Sequence, residues 1–214
     1  MAATVTKMPA DLAEAHKLIG DELYFLYTKW NYFKLLFCTA DETVATLHYA
    51  AEFFFEIYRE VIRDDMILSL CRLTDPATTN VKGQDKSNLT IKHLAKMIPN
   101  SDTSLRQAVD SDLQDIDSKS VDFRHHRNRR IGHRDLDTRK KCSTALLPNL
   151  GLNDMDNVLA AFAALLNRIH QFYDQDERCY DEGIYGSGNA QHLIDFIKYE
   201  QDLLKYFEEK EFGG

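Results

Sequence analysis

Long stretches that keep apolar side chains three and four positions apart, with no proline inside them, dominate this 214-residue chain. The first runs from about Pro9 to Cys38 and places Leu12, Ala15, Ile19, Leu23, Leu26, Trp30, Phe33 and Phe37 at that spacing. Only a helix turns such a spacing into one face. The four prolines stand at 9, 76, 99 and 148, and of the nine glycines only Gly20 falls inside a clear period. The breakers therefore mark the ends of long helices.

Thr39 followed by Glu42 has the form of a capping box. The segment it opens, to about Leu73, carries Val44, Leu47, Ala51, Phe54, Tyr58 and Val61 on one side, and Phe53-Phe54-Phe55 spreads onto another. This pattern predicts a central helix covered by neighbours on several faces, with Trp30 and the phenylalanines in the core. Ala77 to Ser87 reads as a polar loop, and a short helix from Leu89 to Ile98 closes at Pro99. Ser101 or Ser104 then caps a long helix toward Ile131. A fifth helix carries Met155, Leu159, Phe162, Leu166, Ile169 and Tyr173 in register, and a last one spans about Ala190 to Glu209. No stretch has a convincing strand pattern. The expectation is one all-α domain over 1–214, a bundle of about five to six helices. An irregular basic loop at 134–152 and a Gly-rich linker at 183–188 interrupt it.

A chain of this length buries about 72% of its unfolded surface, enough for a full core without metal or disulfide. With 44% hydrophobic and 28% charged residues it is too apolar to be disordered in bulk. Cys38, Cys71, Cys142 and Cys179 lie far apart with no CxxC pair, which suggests neither a zinc ribbon nor a secreted disulfide framework. The N-terminus has no apolar signal-like run, and Val158 to Leu166 is too short to span a bilayer. A cytoplasmic protein with no membrane association is expected.

Charge is distributed unevenly. Residues 124–141 hold six Arg and two Lys against Asp135 and Asp137, a net +6, so the remainder carries −14 to reach the formal −8. A focused basic island in an acidic chain can hold a phosphate backbone at one place. The apolar stripe of the fourth helix reads Leu105, Val109, Leu113, Ile116, Ser120, Phe123 and then Arg127. A guanidinium in line with a core stripe must be paired, or must face a cleft or a second subunit. Pairing to Glu60, Asp64 or Asp65 on the acidic second helix would make Arg127 merely structural.

The surrounding run, Arg124-His125-His126-Arg127-Asn128-Arg129-Arg130-Ile131-Gly132-His133-Arg134-Asp135, resembles the HEPN superfamily. Its signature is an Arg, a polar residue, and a His after four to six intervening positions near the end of a long helix. Arg127-Asn128 with His133 fits, whereas Arg129 is too close and Arg124 too far. Trp30, the aromatic second helix and its ending Leu70-Cys71-Arg72-Leu73-Thr74-Asp75-Pro76 resemble the abortive-infection, AbiU-like branch, and the likeness covers most of the chain through His133.

The resemblance implies a metal-independent endoribonuclease in a bacterial phage-defence or toxin setting, needing no cofactor, with RNA as substrate and a homodimer that completes the site. His133 would act as acid or base, since imidazole titrates near pH ~6.5. Arg127 would hold the scissile phosphate through two donors, and Asn128 would orient the His or the phosphate. Arg124, Arg129, Arg130 and Arg134 would bind RNA phosphates. Arg130 and Arg134 favour neutral His133 while Asp135 opposes them, so no net shift is expected.

In an unbroken helix six residues would set His133 about 120° away from Arg127. Gly132 is therefore expected to end or bend the helix. An antitoxin or nucleotidyltransferase partner is also implied. The tyrosine that such transferases modify after the motif His has no counterpart in Arg134-Asp135-Leu136-Asp137.

Other readings use the same residues. A non-catalytic HEPN-type module would bind RNA, nucleotide or a partner protein through this basic face. His125, His126, His133, Asp135 and Asp137 have ligand chemistry, but their spacing matches no usual zinc pattern. Arg72 is expected to pair with Asp75 or the last helix carbonyls.

Overall fold

A computed structural model describes residues 7–132, 136, 140, 147–174, 176–181 and 189–212. Its helices are α1 (Ala10–Phe37), α2 (Asp41–Leu73), α3 (Ile91–Met97), α4 (Thr103–Lys119), α5 (Val121–His126), α6 (Leu152–Asp174) and α7 (Ala190–Phe212). A π-helical turn, Arg127–Ile131, continues α5, and a hairpin of β1 (Thr78–Val81) and β2 (Gln84–Ser87) follows α2. The architecture is all-α. By their contacts the residues form two compact units, one of 1–27 with 64–181 and one of 28–63 with 182–214.

The larger unit holds most of the core. The stripe Leu12, Ala15, Ile19, Leu23 and Leu26 of α1 is buried, as are Met66, Ile67, Leu70 and Cys71 of α2. All six apolar positions named for the fifth helix are buried on α6, which packs along α4 through Leu105, Val109 and Ile116. Polar ties fix the register. His16 Nε2 donates to the Leu166 carbonyl at 2.9 Å, and Tyr173 donates to Asp102 at 2.5 Å. Burial first, and the Asp102 carboxylate second, push the Tyr173 hydroxyl pKa up. Gly20, in mid-helix, lies where a Cβ would stand 3.3 Å from the ring of buried Tyr180, so the aromatic takes the space a side chain would need.

The smaller unit has a modest core of Leu36, Leu47, Phe55, Ala190, Ile194 and Ile197. Trp30 is buried and stacks on Phe33. The α2 backbone breaks at Ala51, whose conformation is extended, and His48 donates across the break to Glu56 at 3.2 Å.

Several expectations change here. Thr39 does not cap α2: its hydroxyl donates back to the Leu35 carbonyl, and Glu42 pairs with Lys198 instead. The first half of α2 is covered on one side only, through Leu47 and Phe55, because Phe53, Phe54, Ile57 and Val61 are exposed. The polar loop at 77–87 contains the exposed hairpin, turned at Lys82 and Gly83 with φ of 53° and 81°. Two positive φ values in a two-residue turn match the twist of paired strands, and strands exposed along their whole length give no alternation to read. Asp102, not Ser101 or Ser104, stands at the α4 N-cap, and Thr90 caps α3 by accepting from the His93 amide.

Candidate functional site

The end of α4 is where the sequence breaks its apolar stripe, and the backbone changes there as well. Buried Ser120 turns its hydroxyl onto the Ile116 carbonyl at 2.6 Å, which interrupts the helix between α4 and α5. Phe123, fully buried, then fixes α5. His126 donates from Nε2 to the Pro148 carbonyl at 2.8 Å, tying the chain after the motif back to the helix before it.

At Arg127 the helix widens. The Gly132 amide donates to the Arg127 carbonyl at 2.6 Å, an i to i+5 bond closing a single π turn. Such turns are rare and concentrate at functional sites. Gly132, expected to end or bend the helix, has a right-handed helical φ of −72° and ψ of −39° and stands at the end of the π turn. Its use is its missing side chain: a Cβ there would stand 3.0 Å from the Arg127 carbonyl oxygen. The angle that a regular helix assigns to six residues does not apply across this turn. In an ordinary helix Gly→Ala adds about 1 kcal/mol. Gly132→Ala is expected instead to lose stability on thermal unfolding, because the close carbonyl belongs to the backbone.

Three arginines of the motif run meet carboxylates or carbonyls. Arg127 donates to Asp75 at 2.6 Å and, from Nε, to Asn128 at 3.0 Å, and its side chain is 28% exposed. Its acid therefore lies just past the end of α2, not at Glu60, Asp64 or Asp65. Asp64 pairs with Arg130, whose Nε is buried with no hydrogen-bond partner among the described residues. Arg124 donates to Asp117 at 2.8 Å and to the Thr74 carbonyl at 3.3 Å. Arg72 is exposed, and Asp75 gives its Oδ1 to Arg127. The Thr74-Asp75 turn is thus the acceptor edge that aims Arg124 and Arg127, which sequence reasoning missed although the segment was in view.

Arg129 is half-buried and Asn128 exposed. His133 and Arg134, the remaining residues expected at the site, lie outside the described residues, as do Asp135 and Asp137. Cys71 sits near Arg127, Arg124 and Asp75, but burial outweighs the two guanidinium groups and pushes its thiol up to about 11, so it offers no thiolate at neutral pH. Among the described residues no group of three His, Cys, Asp or Glu is placed to hold a metal ion, and no helix is long and apolar enough to cross a membrane.

Partial burial raises the pKa of Asp117, yet hydrogen bonds from Arg124 and Lys92 bring it below the ordinary carboxylate range. A depressed carboxyl pKa stabilises the fold above its unfolded value, and that contribution is lost as pH falls through the folded one. The stability gap between wild type and Asp117→Asn is therefore expected to shrink as pH falls below about 4, measured by denaturant unfolding across pH.

A family model for AbiU2, of the HEPN type, matches residues 9–193. The chain belongs to this HEPN family. No curated protein and no solved structure matches it. Membership accounts for the all-α architecture and makes the protein a HEPN-fold module of the abortive-infection class. The AbiU2 match includes α1 to α6, the Thr74-Asp75 turn and the whole Arg127–His133 motif.

Proposed function

We propose that this AbiU2-type protein is a metal-independent endoribonuclease acting in phage defence, abortive infection or a toxin system. The observation that carries this reading is the π turn. It begins at Arg127, whose guanidinium is aimed by Asp75 and Asn128, and it belongs to a motif of the family's Arg–polar–His form. In the reaction His133 takes the proton from an RNA 2′-OH, and the 2′-oxygen forms a bond to phosphorus as the bond to the 5′-oxygen breaks. An acid, His133 of a second copy in a composite dimeric site, returns a proton to that oxygen. Arg127 stabilises the charge of the five-coordinate phosphorus. Arg124, Arg129, Arg130 and Arg134 hold flanking phosphates.

The ion pairs favour a second reading, a non-catalytic module that binds RNA, nucleotide or a partner through the same face. Arg127 and Arg130 each already hold a carboxylate. A partly exposed pair of this kind contributes only about 0.2–1 kcal/mol, so a phosphate can replace the carboxylate without large cost. Incubation of RNA with wild type in EDTA separates the readings. Fragments ending in 2′,3′-cyclic phosphate and 5′-OH support the nuclease, and binding without cleavage supports the module.

A further inference from the structure

The core of the smaller unit leaves a space unfilled. Its buried residues on α7 are Ala190, Ile194 and Ile197, so the stripe that clusters with Leu36 and Phe55 begins on its smallest member. A cavity of about 540 Å³, open at its rim, stands there between the end of α1, the part of α2 that follows the break at Ala51, and the start of α7. Small-molecule sites have volumes of about 300–1,000 Å³.

The lining is mostly ring surface. Tyr32, Phe54, Phe55, Tyr58 and Phe196 all face the space. Phe54 and Tyr58, one turn apart on α2, lie parallel within 3° and make one flat wall. Phe55 and Leu36 are buried and form a floor, whereas Phe54 and Phe196 stand open at the rim. Polar groups are few. Burial, and then the neighbouring Tyr32, push the Tyr58 hydroxyl pKa up, so that hydroxyl is a neutral hydrogen-bonding group at pH 7. At the mouth the Asn189 side chain accepts from the His192 amide at 2.8 Å, which fixes it and the first turn of α7. No Lys, Arg, Asp or Glu lines the cavity among the described residues.

We infer that this cavity is a binding site for an uncharged, flat aromatic small molecule that carries a hydrogen-bonding group. Ring walls hold such a molecule by stacked and edge-to-face contacts, and the Tyr58 hydroxyl takes its polar atom. A small number of placed polar groups in an apolar pocket is what orients a ligand in sites of this kind. Charge excludes a nucleotide, whose phosphates would lose their water and meet no cation here. Shape separates the site from a docking face: it is concave with a buried floor, the form of a ligand pocket.

Titration of the full chain with N-phenyl-1-naphthylamine, an uncharged aromatic probe that brightens in apolar surroundings, tests the inference. Saturable binding of one probe per chain is expected, with a dissociation constant of about 10–100 µM for a molecule of that size. Leu193→Trp, which fills the cavity from its rim, and Phe54→Ser, which removes a wall, are each expected to weaken binding at least about tenfold. Phe54 is 62% exposed, so its variant serves should the tryptophan variant not fold. Phe207→Ser, at an exposed ring of α7 outside the lining, is expected to keep the wild-type constant, and ATP is expected not to displace the probe. The inference is overturned by binding that does not saturate, by Phe207→Ser weakening it as much as Phe54→Ser, or by displacement with ATP. An affinity that falls as the chain concentration rises makes a second copy the occupant and overturns it as well. No RNA enters the titration, so its outcome and that of the cleavage experiment are independent.

Discussion

Arg127→Ala is expected to slow RNA cleavage about a thousandfold, and His133→Ala by about 10²–10⁴-fold, while both variants keep the wild-type fold. In the proposed reaction the first substitution removes the cation facing the developing phosphorane charge, and the second removes the proton carrier. Arg127 does not lie in the dry core: it is 28% exposed, and its pair with Asp75 contributes little to stability. Arg127→Lys is expected to recover only part of the rate, because an ammonium keeps the charge but not the fork that bonds Asp75 and Asn128 together. Single-turnover cleavage in EDTA, with thermal unfolding beside it, measures all three variants. Wild-type rates in Arg127→Ala would falsify the nuclease reading.

Phe123→Ala carries the largest expected stability loss, about 3–5 kcal/mol. The ring is 1% exposed and sits in the one-and-a-half turns of α5 between the break at Ser120 and the π turn. Truncation leaves a cavity that the neighbours fill only in part. The melting temperature should fall by roughly 10 °C for a chain of this size. Val121→Ala, two residues away and 47% exposed, is the control, expected within about 0.5 kcal/mol of wild type.

The stripes of α1 and α6 were legible because burial repeats every three or four residues, and the apolar letters repeat with it. The same repeat along α2 does not say whether a face is covered, so Phe53 and Phe54 looked like core and are exposed. Arg127 stood out as a charge in an apolar stripe, but its partner is 52 residues away in a turn, and no helical period connects 75 to 127. The π turn rests on one backbone bond and one absent Cβ. A glycine in a sequence announces freedom of φ sooner than the lack of a side chain. The hairpin was unreadable for a different reason: its eight strand residues are all exposed, leaving no alternation.

The His126 bond to Pro148 bears on how this family can vary. Pro148 is fastened to His126, on the helix that carries the arginine turn, so the sequence from Gly132 to Pro148 is tied to that helix at both ends. Closure entropy grows only logarithmically with the number of residues enclosed, and doubling that excursion costs about 0.6 kcal/mol. Insertions and deletions beyond His133 and Arg134 are therefore expected to cost little stability, while the arginine turn before them stays fixed.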